Sequence, residues 1–131
     1  MVILVAGPRM ELLDIVVRYL GSTHDSIIFD RRAVRVRFEQ GQICELLLGD
    51  NGYACRSYLL TSVIYPTTHQ EENYNRAHKR IRNLIERVNG LWKRRFPCLH
   101  RILTTKPDTS VAVICATALL YNIALQNGDN F

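Results

Sequence analysis

Leu46-Leu47-Leu48 runs into Gly49-Asp50, and the long periodic segment that follows, ending at Trp92-Lys93-Arg94-Arg95-Phe96, carries a second carboxylate at Glu86. This pairing constrains the fold more than any other feature of the chain. A short apolar run ending in Gly-Asp reads as a buried strand that lifts a carboxylate out at its tip, and open α/β sheets place their chemistry beyond the carboxyl ends of their strands. An acid at a strand tip and an acid on a basic helix suggest divalent metal handling phosphate, because carboxylates hold such ions and cations gather nucleic acid. Each acid also has a plainer reading. Asp50-Asn51-Gly52 is strong turn sequence. Glu86 lies nearly opposite the stripe of Ile81, Leu84, Val88 and Leu91, where it could simply pair with Arg82 or Lys79 on a solvated face.

Charge is segregated along the chain. Nine of the Lys and Arg residues fall between Arg76 and Arg101 against one acid, Glu86, so that segment carries +8 of a net +5 and the remainder about −3. Such a block points to a polyanionic partner on one face, with a merely solvated helix face as the alternative. At 131 residues, 47% apolar and 22% charged, the chain suits one globular domain with a real core and is unlike a disordered segment. Cys44, Cys55, Cys98 and Cys115 have no C-x-x-C spacing, which argues against a zinc site and favours reduced, partly buried thiols. The opening Met1 to Pro8 is too short and lacks the basic flank for a leader or membrane segment, so no membrane partner is expected.

Val2 to Ala6 and Leu12 to Tyr19 read as strands joined by a hairpin turn at Gly7-Pro8-Arg9. Residues from Ser26 to Phe38 lean towards a short helix, although Val34-Arg35-Val36-Arg37-Phe38 also alternates as a strand would, and Ile43 to Gly49 is the strand that carries Asp50. Thr68-His69-Gln70-Glu71 has the form of a capping box and predicts a long helix from about His69 to Arg95, stopped at Phe96-Pro97. A final helix from about Asp108 to Asn127, apolar on every side and stopped by Gly128, is expected to be a core helix packed on a sheet.

Other polar residues are weaker candidates. Asp25 follows the loop Gly21-Ser22-Thr23-His24 and serves equally well as a turn or cap residue. His24-Asp25 would suit a His-Asp metal phosphohydrolase, a two-letter signal. His78 and His100 lie in the basic segment and read as phosphate contacts or surface residues, while Trp92 falls on the apolar stripe and reads as core. Ser22 and Ser57 have no His and Asp arranged around them for nucleophilic chemistry.

Several motifs in order then resemble one family. Gly21-Ser22-Thr23-His24-Asp25-Ser26, Leu47-Leu48-Gly49-Asp50-Asn51-Gly52-Tyr53, Tyr58-Leu59-Leu60-Thr61, Glu72-Asn73-Tyr74-Asn75-Arg76-Ala77-His78, Ile85-Glu86-Arg87, Trp92 to Phe96 and Leu119 to Ala124 are similar to the DDE endonuclease domain of PIF/Harbinger transposases and the nucleases derived from them. The likeness covers nearly the whole chain. It implies an α/β, RNase H-like core with a mixed sheet and long C-terminal helices, spread over residues 1–131 as a single domain. It also implies cleavage of DNA with Mg²⁺ or Mn²⁺ held by Asp25, Asp50 and Glu86, one ion activating water and another stabilising the leaving oxygen. Arg76, Lys79, Arg82, Arg87, Lys93, Arg94 and Arg95 would track the DNA backbone without reading sequence.

The same resemblance marks departures. The family's first catalytic Asp sits on a strand upstream of the segment that opens this chain, so an N-terminally incomplete domain with its first strand missing is expected. Val88-Asn89 stands where the family has Thr-Phe, and Tyr121 where it has His. The lineage implies a nuclear location, with cytoplasm as a second compartment, and leaves room for a DNA-binding partner protein. The alternative function is a non-catalytic DNA-binding or protein-interaction remnant of a domesticated transposase.

Overall fold

A computed structural model describes residues 2–17, 33–101 and 106–129. The loop that contains His24 and Asp25 lies outside the described residues, as does the predicted helix before residue 33. The described chain is mixed α/β and falls into two compact units, Met1–Gly21 with Leu84–Phe131, and Ser22–Asn83.

In the first unit, β1 (Val2–Ala6) and β2 (Leu12–Val17) form the predicted antiparallel hairpin, with a register irregularity between Val5 and Ala6. The turn closes through Gly7 N–H to Glu11 O at 2.8 Å and Met10 N–H to Gly7 O at 3.0 Å. Met10 takes φ of +70°, a left-handed conformation that is costly for a side chain with a Cβ. Two residues of the C-terminal helix, α3 (Pro107–Gln126), hold this corner in place. The Tyr121 hydroxyl donates to Met10 O at 3.1 Å, and the Asn122 amide both accepts from Leu12 N–H at 2.9 Å and donates to Leu12 O at 2.8 Å. Asn122 thus serves the backbone of β2 as a neighbouring strand would. The core comprises Leu12, Val88, Trp92, Leu99, Ile114, Ala118 and Tyr121, with Leu99 on a 3₁₀ turn at Pro97–His100. Trp92 is core, as its place on the stripe predicts.

The second unit contains α1 (Ala33–Glu39) and the two-residue strands β3 (Leu47–Leu48) and β4 (Leu59–Leu60), which pair in parallel. Phe38 is buried and stacks on Tyr58 at 5.5 Å. Arg35 pairs with Glu39 at 2.8 Å across one helical turn, and this hydrogen-bonded guanidinium holds the Glu39 carboxyl below its ordinary value. The long helix α2 (His69–Arg95) has its first part, to Asn83, in this unit and continues from Leu84 in the other. The capping box is present: Glu71 N–H donates to Thr68 Oγ1 at 3.2 Å, and Glu71 Oε2 accepts from Thr68 N–H at 3.1 Å and Thr67 N–H at 2.7 Å.

Five expectations are corrected. Among the described residues the strands form two separate two-stranded sheets rather than one mixed sheet. The strand predicted over Ile43 to Gly49 is regular only at Leu47–Leu48, which lie beside Leu59–Leu60, with Leu47 N–H bonded to Tyr58 O at 2.7 Å and Gly49 N–H to Leu60 O at 3.0 Å. α3 is not covered all round: Ser110, Ile114, Thr117, Ala118 and Tyr121 are buried, while Leu119 is 65% exposed and Leu120 and Ile123 are also open. By length and composition this helix could cross a membrane, a test that core helices also pass. Ile81 lies on the predicted stripe yet is 57% exposed, because periodicity gives the direction of a face and not the extent of its cover. Finally, all four cysteines are free thiols and exposed rather than partly buried.

Candidate metal and nucleic-acid site

Asp50 stands where the apolar run predicts, just past β3, and it is exposed. It also forms the turn that its sequence allows. Its Oδ1 accepts from Gly52 N–H at 2.9 Å and its carbonyl from Tyr53 N–H at 3.1 Å. A Cβ on residue 52 would come within 3.0 Å of that same Oδ1, so glycine there lets the carboxylate fold over the turn. The second oxygen, Oδ2, faces the guanidinium of Arg82 at 4.0 Å. Ser62 ties the turn down by donating to Asn51 Oδ1 at 2.9 Å. The turn and the strand-tip acid are therefore one object: the hydrogen bond that shapes the turn leaves one carboxylate oxygen turned towards positive charge.

Glu86 is exposed on α2, with Arg82 one turn before it and Lys79 and Lys93 two turns away on either side. Among the described residues no three His, Cys, Asp or Glu side chains gather to enclose a metal ion, and Asp25 is outside them. Asp50 has the chemistry of one hard-oxygen ligand.

The cations of α2 sort by their surroundings. Arg76, Arg80, Asn83, Arg87, Gly90 and Arg94 are all exposed and recur at alternating four- and three-residue steps, which keeps them on one helix face. A Cβ on Gly90 would meet nothing, so the backbone itself is open at that point of the stripe. Arg82 faces Asp50, Arg95 faces Asp129 at 3.7 Å, and Lys93 is half-buried. Arg80 belongs to the stripe although it is missing from the predicted contacts; its seven-residue spacing to Arg87 and Arg94 was the available signal.

His78 corrects the sequence reading. It is buried, with Nε2 3.0 Å from Leu60 O and its ring 5.9 Å from that of Tyr74. A carbonyl oxygen can only accept, so Nε2 carries the proton in that contact. His78 therefore fixes the end of β4 rather than meeting phosphate. Tyr74 does likewise, its hydroxyl donating to Thr61 O at 2.8 Å, and partial burial raises its pKa.

The described chain is mixed α/β, with a strand-tip carboxylate and a helix bearing a solvent-facing arginine row. The chain belongs to the DDE superfamily endonuclease family, which it matches over residues 1–122. It is similar to proteins described as "Putative nuclease HARBI1": 33% identical over 130 residues in Mus musculus, 31% in Bos taurus and 30% in Homo sapiens. Each alignment covers 96% of this chain and 37% of the relative, so the chain spans little more than a third of the relatives' length and has the character of a partial domain. No solved structure matches it significantly. The Harbinger resemblance is thereby borne out, and the lineage is that of transposase-derived nucleases.

Proposed function

We propose that this chain is part of a divalent-metal-dependent DNA endonuclease domain with an RNase H-like core, a single domain over residues 1–131. The observation that carries this reading is the exposed arginine row of α2, Arg76, Arg80, Arg87 and Arg94, in a chain of the DDE endonuclease family. Asp25, Asp50 and Glu86 are the proposed ligands, and Mg²⁺ or Mn²⁺ the proposed ion. When bound, such an ion polarises the phosphodiester and lowers the pKa of water. The chain's own residues do the rest. Gly52 N–H orients the Asp50 carboxylate. Arg82 balances the charge of that carboxylate. The arginine row holds the DNA backbone without selecting sequence. A nuclear location accompanies a DNA target.

A second reading is a DNA-binding remnant without chemistry. It is favoured by the Asp50–Arg82 contact, which balances the acid's charge with a residue of the chain itself. Plasmid nicking in Mn²⁺ or Mg²⁺, with the wild type beside Asp50→Asn and Glu86→Gln, separates the two. Metal-dependent nicking abolished in both variants supports the endonuclease. Nicking that survives Asp50→Asn sinks the ligand assignment. DNA binding without any nicking supports the remnant.

A further inference from the structure

The segment between β4 and α2 is bolted down on both sides of a two-residue tip. Leu60 O is held by His78, Thr61 O by the Tyr74 hydroxyl, and Val63 by two hydrogen bonds with Asn75, at 2.8 Å to its N–H and 2.9 Å to its carbonyl. On the far side, Thr67 and Thr68 donate to the Glu71 carboxylate. Between these anchors Ile64 is 66% and Tyr65 85% exposed. Pro66 follows directly and biases Tyr65 towards an extended backbone.

Single apolar residues on a surface need no explanation. Here, however, an adjacent isoleucine and tyrosine are presented to water by a backbone held at five residues, so ordering them costs little further entropy on binding. Their surroundings favour an anionic partner. Over His69–Asn83, with Arg82 facing Asp50 and Glu71 engaged in the cap, Arg76, Lys79 and Arg80 outnumber Glu72. A flat ring beside an aliphatic wedge, followed in the chain by a helix of net positive charge, matches the chemistry by which proteins stack on and separate unpaired bases.

We propose that Ile64-Tyr65 is a base-stacking tip that engages unpaired bases of DNA. This rests on DNA being the partner, and it adds preference for opened over matched duplex. The test uses the 131-residue chain, fluorescence anisotropy, a matched duplex and the same duplex with a central bubble containing 2-aminopurine. Wild type is expected to prefer the bubble and to change the 2-aminopurine emission. Tyr65→Ala should weaken bubble binding by roughly 5- to 150-fold, leave matched-duplex binding unchanged and abolish the emission change, while Tyr65→Trp retains all three properties. Equal effects of Tyr65→Ala on both substrates, or none, overturn the tip and leave the DNA reading standing. A change in sedimentation in place of a change in bubble preference also overturns it, and assigns Tyr65 to a protein contact. Failure of the wild type to bind either DNA overturns both readings.

Discussion

Replacing Arg87 and Arg94 together with Gln removes half of the arginines from the exposed row on α2. Both are exposed, so their loss leaves the core intact. If Arg76, Arg80, Arg87 and Arg94 each neutralise one phosphate, the logarithmic salt slope of duplex binding is about −3.6, from roughly 0.9 per phosphate. Affinity of the wild type then falls about 150-fold between roughly 50 and 200 mM salt. The double variant keeps two contacts, so its slope is about −1.8 and its loss over the same range about 12-fold. The assay is anisotropy of a labelled duplex titrated with KCl at fixed pH. Arg9→Gln with Arg37→Gln removes the same charge from exposed positions outside α2 and should leave the slope unchanged. A slope that does not move in the α2 variant refutes phosphate contact by the row. An equal fall in the control pair refutes the row as the binding face and leaves only net charge.

Two further outcomes concern stability. Asn122→Ala strands both backbone groups of the buried Leu12 and should cost about 2 kcal/mol in urea unfolding with unchanged m, whereas Tyr121→Phe, which removes one hydroxyl contact to Met10 O, should cost about 1 kcal/mol. A cost below about 0.5 kcal/mol for Asn122→Ala, the range of ordinary surface changes, would show that the amide does not hold β2. For Glu71, the backbone N–H of Thr67 is the largest influence that lowers the carboxyl pKa, followed by that of Thr68. A lowered folded value means that the cap's contribution is fully present above the ordinary glutamate value of about 4.3 and is lost as pH falls through the lower, folded-state value. An NMR titration should show the Thr67 and Thr68 amides shifting together below that ordinary value, and Glu71→Gln should abolish the shift; titration at or above the ordinary value would refute the cap.

Local signals were the legible ones. The hairpin, the capping box at Thr68–Glu71, the stop at Phe96-Pro97 and the core place of Trp92 each depend on residues within a few positions of one another, where propensity and periodicity act directly. What failed depended on cover supplied from elsewhere. α3 has no polar face, so its sequence cannot say which sides are packed, and its open residues Leu119, Leu120 and Ile123 are as apolar as the buried Ile114 and Ala118. His78 was misread for a related reason. Its neighbours in sequence are cations, while its partner in space is a backbone carbonyl eighteen residues away, and no side-chain pattern encodes a carbonyl.

The candidate site divides along the same line. Asp50 was legible because two rules met there, a strand ending and an Asp-Asn-Gly turn, and the structure satisfies both with one carboxylate whose oxygens take different tasks. The arginine row was half legible. Counting charges found the block between Arg76 and Arg101, but a count treats Arg82 and Arg87 alike, whereas one faces an acid and the other faces solvent. Spacing separates them: the steps through Arg76, Arg80, Arg87 and Arg94 define a face, and Arg82 falls off it. For a helix of this kind, phase therefore carries more functional information than charge density. Phase decides which cations are available to a polyanion, and net charge only how strongly it is drawn in.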